Sequence, residues 1–358
     1  MKNILKTALI FAAATLISCE KIIEFNNDET KPVLVVNSFV QPDSTIIVEV
    51  SESHFFLANN AVKFIKNADV QLFVNGEMIE KLPFYEEYFF PEIIDENGDT
   101  LSNRFDSYRQ NIYASTHKVQ SGDKIKIQVS SPNFEKSVWG ETVVPNPPQI
   151  IDVKAEFETI NYESEIKFTV KFQDNENEQN YYRLVLGYYQ CVTDTSEYIN
   201  PKKYQYNLNY YLKTDDIVFN SNPDILPINE KFAKYYIFSD ELINGKEHSL
   251  SFMPSYRNPE FSIKYYPEND KYFIYKTEYD YDYQAGLSYE YVYMIDIFVV
   301  KLQSISKEYY HFLKTMNASY SESMTGFFSE PTQVFSNINN GGIGIVGAFA
   351  ENAALVRF

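Results

Sequence analysis

The sequence predicts a mainly β protein with two β-sandwich-like domains, of the immunoglobulin or prealbumin kind, and one amphipathic helix near its C-terminus. Three observations carry this prediction. The 358 residues include 30 Tyr and 28 Phe but only 12 Gly, and aromatic side chains favour pleated, half-buried strands. Several short runs alternate apolar and polar residues, as strands with one solvated face do. A proline-rich break at 145–148 separates these runs into two groups.

The N-terminal residues are typical of an export signal. Lys2 and Lys6 precede an apolar run at 7–17, which has the length of a signal core and is too short to span a bilayer. The run ends in Leu16-Ile17-Ser18-Cys19. An apolar residue, a small residue before the cleavage point and a cysteine after it form a bacterial lipobox.

This pattern predicts a lipoprotein signal peptide at 1–18, an acylated Cys19 and a polar tether at 19–31. Two or three acyl chains give stable membrane anchoring, whereas one chain gives only marginal binding. An ordinary secretory signal with a chance cysteine is the alternative interpretation. Under either interpretation the protein is exported.

The segment 32–145 is predicted to be an N-terminal β-sandwich. Strands are expected at 33–36, 45–51, 68–74, 124–130 and 137–144. The strand at 68–74 ends at Asn75-Gly76, the strongest short signal for a hairpin turn. A long acidic and aromatic insertion, 82–109, interrupts this domain, and its role is not evident from the sequence.

The segment 149–358 is predicted to be a second, β-rich domain. Strands are expected at 166–173, 181–186, 203–213, 234–239, 247–255 and 288–300. A Gly-rich run at 341–349 predicts a turn followed by a C-terminal strand, because it lacks the strand–turn–helix context and the lysine of a phosphate-binding loop.

One segment changes to helical periodicity. Apolar side chains recur at spacings of three and four, namely Leu302, Ile305, Tyr309, Phe312, Leu313 and Met316. The stripe predicts a helix at about 304–317 that buries one face, with Ser304 or Ser306 as its N-cap.

Composition excludes some classes of function. A formal net charge of −18 disfavours nucleic acid as a partner, because binding to phosphates needs clustered Lys and Arg. Two Cys and four His make a disulfide framework or a multi-histidine metal site improbable. No spacing of residues matches a catalytic signature, so we expect a protein that is not an enzyme and uses no cofactor.

Calcium is the one metal for which the sequence offers a candidate site. Asp95, Asn97 and Asp99 alternate as in calcium loops, but a glycine at the fourth position and no glutamate at the twelfth depart from that pattern. A solvated turn explains the segment more simply, and the same holds for the acids at 278–282.

Tyrosines in the second domain form a possible interface or ligand platform. They are Tyr265, Tyr266, Tyr281, Tyr283, Tyr289, Tyr291 and Tyr293. Tyr combines a flat apolar ring with a solvated hydroxyl, which suits interfaces and glycan or peptide grooves. The alternative is that these rings simply cover the faces of a Tyr-rich sandwich.

Segments spread along the chain resemble a known bacterial family. They lie at 19–21, 32–37, 180–184, 238–246, 302–313, 328–331 and 336–349. In this order they resemble the Bacteroidota outer-membrane lipoproteins catalogued as domain of unknown function 4249. The resemblance covers nearly all of the chain after Cys19, except for the insertion at 82–109.

The resemblance implies an accessory lipoprotein of the cell envelope and carries over no catalytic residue. Members of that family often accompany TonB-dependent outer-membrane receptors, so we expect a binding partner of such a transporter, itself a β-barrel protein. Two alternatives remain open. One is a free-standing surface receptor that binds a peptide or glycan through an aromatic-rich groove, and the other is a hydrolase of envelope polymers.

The residues after Cys19 bear on location. Glu20, Lys21 and Glu24 partly resemble the lysine-plus-acid signal that sends such lipoproteins to the cell surface, although Ile22 and Ile23 interrupt the acids. We therefore expect a lipid anchor in the outer membrane and display at the cell surface, with the periplasmic face as the alternative.

Overall fold

The computed structural model describes residues 31–54, 62–88, 93–94, 100–102, 109–160, 163–192, 203–209, 212–220, 235–254, 261–266, 271–282, 287–325 and 333–357. Chain contacts define two compact units, one of 33–53 with 61–358 and one of 1–32 with 54–60. Nearly all described residues belong to the first unit. The predicted signal peptide, Cys19 and the tether up to residue 30 lie outside the described residues.

The described chain is mainly β, as predicted. Its strands are β1 (Leu34–Val40), β2 (Thr45–Glu52), β3 (Asp69–Val74), β4 (Glu77–Lys81), β5 (Phe84–Tyr88), β6 (Ile93–Ile94), β7 (Thr100–Ser102), β8 (Arg109–Lys118), β9 (Lys124–Ser130), β10 (Val138–Val143), β11 (Gln149–Ile160), β12 (Glu163–Gln173), β13 (Tyr181–Val192), β14 (Lys203–Asn209), β15 (Leu212–Lys213), β16 (Tyr236–Ser239), β17 (Glu247–Pro254), β18 (Phe261–Tyr266), β19 (Lys271–Asp282), β20 (Leu287–Ile305) and β21 (Ile343–Arg357). The described helices are α1 (Ile217–Asn220) and α2 (Lys307–Thr325), with one 3₁₀ turn at Asp240–Leu242.

The N-terminal strands form a sandwich-like pair of layers. One layer is the sheet β10-β9-β3-β4, and the other is the part of a larger sheet that runs β5-β8-β2-β1-β21. Side chains of both layers, such as Val36, Leu72 and Ile127, meet in one apolar core. The alternation predicted at 68–74 and 124–130 is confirmed, because β3 and β9 bury every second side chain.

A second core lies between the sheet β11-β12-β17-β15 and the strands β13, β16 and β20 of the larger sheet. Aromatic rings fill much of it. The Phe168 ring centroid lies 5.5 Å from that of Phe252 and 5.2 Å from that of Phe298. All three side chains are fully buried, so the Phe content noted in the sequence is used here to fill the space between sheets.

Strand β21 belongs to both sandwich-like parts. Residues 343–348 pair in parallel with β1, and residues 349–357 pair antiparallel with β20. Its first half contributes Val346 and Ala348 to the N-terminal core. Asn352 also donates from Nδ2 to the carbonyl of Pro148, at 2.7 Å, which ties the proline-rich segment to this strand. The division into 32–145 and 149–358 stays a prediction, but the last strand is common to both.

The insertion at 82–109 contributes strands to both ends of the larger sheet. Its β5 pairs with β8 at one end, while β6 and β7 adjoin β14 at the other. Tyr88 and Ile93 are five positions apart in the chain, so their Cα atoms are at most about 18 Å apart. The rest of the insertion lies outside the described residues.

The predicted amphipathic helix is confirmed, with different bounds. It begins at Lys307 rather than near Ser304, because β20 continues to Ile305 and Ser304 pairs with Ala350 in the sheet. Ser306 is the residue that caps the helix. Its hydroxyl accepts hydrogen bonds from the backbone N–H groups of Tyr309 (3.3 Å) and Ala348 (3.1 Å), so one side chain joins the helix start to β21.

Candidate functional site

The outer face of the sheet β10-β9-β3-β4 carries the only tryptophan of the chain. Two cross-strand rows lie next to each other on this face, one of Glu141, Lys126, Phe73 and Met78, and one of Trp139, Gln128, Gln71 and Lys81. Trp139 and Phe73 are half-buried, and Met78 is 49% exposed. The result is an aromatic and polar surface, here called the Trp139 face.

Alternation along each strand explains why these side chains point outward. In β9, Ile125 and Ile127 are buried while Lys126 and Gln128 are not. In β10, Val138 is buried and its neighbour Trp139 is not. Because the inward positions are filled by small and branched apolar residues, the larger aromatic and amide side chains occupy the solvent side.

A lysine lies between the two aromatic rings of this face. The Nζ atom of Lys126 is 5.4 Å from the ring centroid of Phe73 and 4.8 Å from that of Trp139. At exposed sites a cation–π contact contributes about 0.5–1 kcal/mol, so the two rings together hold this long side chain in place.

Neighbouring charges on the Trp139 face are paired with one another. The ion pairs are Lys81–Asp69 and Lys124–Glu141, each with an N–O distance of 3.3 Å. Lys126 has no carboxylate partner within the described part of the chain. Its ammonium group is therefore the uncompensated charge of this surface.

A shallow cleft of about 330 Å³ lies at the edge of the second four-stranded sheet, lined by Lys167, Lys213, Thr214, Asp215, Asp216, Ser249, Ser251, Phe252 and Met253. Next to it, Nε2 of His248 lies 3.0 and 3.1 Å from the two carboxylate oxygens of Asp216. Asp216 also accepts from the N–H of Val218 (3.2 Å), and the imidazole packs edge-on against Phe172 at 6.0 Å. Both partners are thus part of the packing, and the pair fixes the start of α1.

Two buried carboxylates, Asp174 and Asp240, hold the turns that follow β12 and β16. The Tyr182 hydroxyl donates to Asp174 at 2.6 Å, and the N–H of Gly245 donates to the same carboxylate at 2.8 Å. The N–H of Asn180 donates to Asp240 at 2.6 Å. Burial raises the pKa of Asp240 above its ordinary value, and burial together with Asp174 raises that of the Tyr182 phenol. These contacts fix the geometry of the two turns.

The predicted tyrosine platform is described only in its backbone. Tyr289, Tyr291 and Tyr293 alternate along β20 and are paired with Asp280, Glu278 and Lys276 of β19. Tyr281 is paired with Ser288, so it belongs to the other face of this ladder. Tyr265 and Tyr266 lie in β18, and Tyr283 lies outside the described residues. The platform stays a prediction.

Comparison with known families decides the relationship of the chain. The model described as "Domain of unknown function (DUF4249)" matches residues 20–353. The chain belongs to the DUF4249 family. The resemblance of the sequence to this family is thereby confirmed. Neither the curated proteins nor the solved structures gave a match.

The described ranges of this DUF4249 chain hold no group of three or more His, Cys, Asp or Glu side chains placed to bind a metal ion. They also hold no helix with the length and hydropathy needed to cross a bilayer. Asp95, Asn97 and Asp99 fall outside the described residues, so the expectation of a solvated turn there, rather than a calcium site, stays a prediction.

The Trp139 face is the feature of this DUF4249 chain that sequence reasoning missed. The signal was available in the alternation of β10, where Trp139 and Glu141 occupy the positions opposite to those of the apolar core.

Proposed function

We propose that this DUF4249 protein is a non-enzymatic lipoprotein, anchored to the outer membrane through Cys19, that acts as an accessory or binding partner of a TonB-dependent transporter. The observation that carries the proposal is the lipobox at 16–19. The family match supports it, because it begins at residue 20, directly after the cysteine that would become the first residue.

Anchoring favours partnership with another membrane protein. A protein held at one surface meets its partner at a high effective concentration, so a modest interface is sufficient for association. We place that interface in the Tyr-rich part of the chain, 149–300, since Tyr supplies contact area at a low entropic cost. The net charge of −18 favours a basic partner surface and disfavours anionic lipid.

Lipidation is tested by comparing the two cysteines. Cys19→Ala should release the protein from the membrane fraction, whereas Cys191→Ala, the matched control at the only other cysteine, should leave it bound. A Cys19→Ala protein that stays in the membrane and is still cleaved would contradict the anchor.

Surface display is tested by adding protease to intact cells. We expect degradation, on the basis of Glu20, Lys21 and Glu24. Protection until the outer membrane is opened would assign the protein to the periplasmic face instead.

Partnership is tested by purifying the tagged full chain in mild detergent. A stoichiometric outer-membrane β-barrel should accompany it. Recovery of the protein alone in several detergents, with no barrel found by cross-linking in live cells, would reject this role and favour a free-standing receptor.

A further inference from the structure

We propose that the Trp139 face binds a neutral polysaccharide, whose sugar rings stack on Trp139 and Phe73. The inference extends beyond the proposed role as a transporter partner and does not depend on it. It rests on the arrangement of rings, amides and charges across β10, β9, β3 and β4.

The two rings are spaced for an extended ligand. Trp139 and Phe73 are two strands apart, which corresponds to about 10 Å across a sheet. A small molecule needs a concave site that covers most of its surface, whereas an extended chain can lie across the outer face of a sheet. The Lys126 ammonium group lies over both rings, so a chain-like ligand that stacks on them displaces it to the rim of the sugar, where it donates to hydroxyl groups.

Hydrogen-bonding groups between the rings remain available for hydroxyl groups. Gln128 pairs with Trp139 across the strands, and its side-chain amide makes no hydrogen bond to the described residues. The Lys126 ammonium group beside it has three N–H donors and no ion pair in the same part of the chain. An amide and an ammonium group beside aromatic rings match a sugar, which presents apolar C–H faces and hydroxyls at its rim.

The charges favour a neutral ligand over an acidic one. Lys81 and Lys124 are each neutralised by a neighbouring carboxylate, so Lys126 alone would attract an anion. The whole chain, with a net charge of −18, repels a polyanion at long range. A dry protein interface is also less suitable, because Lys is depleted in interface cores and its charge would need a buried partner.

The single tryptophan provides a direct test. The purified full chain is run on native gels that contain laminarin, xylan or galactomannan, with alginate as the acidic comparison. At least one neutral polysaccharide should retard the protein, and the same polysaccharide should change the fluorescence of Trp139. Retardation without a fluorescence change would mean binding elsewhere and would overturn the proposal.

Two variants and a control assign the binding to this face. Trp139→Ala should weaken retardation about tenfold, and Gln128→Ala, which leaves both rings in place, should weaken it as well. Ile151→Ser, a change at an apolar side chain that is 45% exposed on β11, should have no effect. Circular dichroism shows whether each variant is folded. If Trp139→Ala does not fold, the effect of Gln128→Ala on retardation decides whether the ligand binds this face.

Three further outcomes contradict the proposal. One is the absence of retardation by any neutral polysaccharide. Another is retardation by alginate alone that Lys126→Gln abolishes, which would indicate simple charge attraction. The third is a pair of results: no polysaccharide gel retards the wild type, and the Trp139→Ala variant no longer binds the outer-membrane partner. The Trp139 face would then be a protein interface.

Discussion

At the scale of single residues, the tightest constraint lies where β21 meets β1. Gly344 has a φ of +115°, and a Cβ atom there would collide with the carbonyl oxygen of Val36. The nearby Gly341 has a φ of +89° but open space around it. The two glycines of this Gly-rich run therefore have different roles. Gly344 allows the backbones of β21 and β1 to approach closely, and Gly341 allows a turn.

We predict that Gly344→Ala destabilises the protein by more than about 3 kcal/mol, because backbone strain and a steric collision add. Gly341→Ala is the matched control and should cost about 1–2 kcal/mol, since only the positive φ is unfavourable there. Urea unfolding of both variants measures the difference. Equal costs would show that β1 and β21 separate easily.

Tyr182 gives a prediction about pH. Its folded pKa is raised above the unfolded value of about 10, so its contribution to stability is complete below pH 10 and is lost as the pH rises towards the folded pKa. At neutral pH, Tyr182→Phe should cost about 1.5–3 kcal/mol, because the bond to the Asp174 carboxylate is lost. The gap between wild type and variant should narrow above pH 10. Urea unfolding from pH 7 to 11 checks this, and a constant gap would contradict it.

Residue roles were predictable only where one local rule decides them. Ser306 was one of two N-cap candidates, and helix capping depends on a few neighbouring residues. The pairing of His248 with Asp216 was not predictable, because 32 residues separate them and the fold brings them together. The same holds for the contact of Lys126 with Phe73 and Trp139.

At the scale of elements, α2 shows how a correct pattern can give wrong bounds. Leu302 and Ile305 fit the helical stripe but belong to β20, where they are buried by sheet packing. Where a strand leads directly into a helix, a short apolar run fits both the two-residue period of a strand and the 3.6-residue period of a helix. Strict alternation without such a junction, as in β9, gave the correct strand.

We predict different costs for truncating two neighbours on α2. Leu313 is 2% exposed and belongs to the buried cluster under the helix, whereas Phe312 is only partly buried against that cluster. Leu313→Ala should cost about 2–5 kcal/mol, and Phe312→Ala should cost less, despite its larger side chain. Urea unfolding measures both. A larger cost for Phe312→Ala would mean that the aromatic ring is the main anchor of the helix.

At the scale of the whole molecule, the sequence predicted a C-terminal strand but not its pairing with both β1 and β20. A break at 145–148 separates two groups of strands along the chain, and such a break favours separate domains. The parallel pairing of β1 with β21 joins residues about 300 positions apart, and no local pattern reports a pairing of that range. The strand supplies one core with Val346 and Ala348 while its second half pairs with β20.

This shared strand predicts that the two cores unfold together. Phe252 is buried in the second core, whereas Trp139 lies on the first sandwich and is the only tryptophan. Phe252→Ala should lower the free energy of unfolding by about 3–5 kcal/mol. It should lower the urea midpoint measured by Trp139 fluorescence as much as the midpoint measured by far-ultraviolet circular dichroism. Coincident transitions are the mark of one cooperative unit. If the fluorescence midpoint stays at its wild-type value while the other falls, 32–145 folds independently and β21 does not couple the two parts.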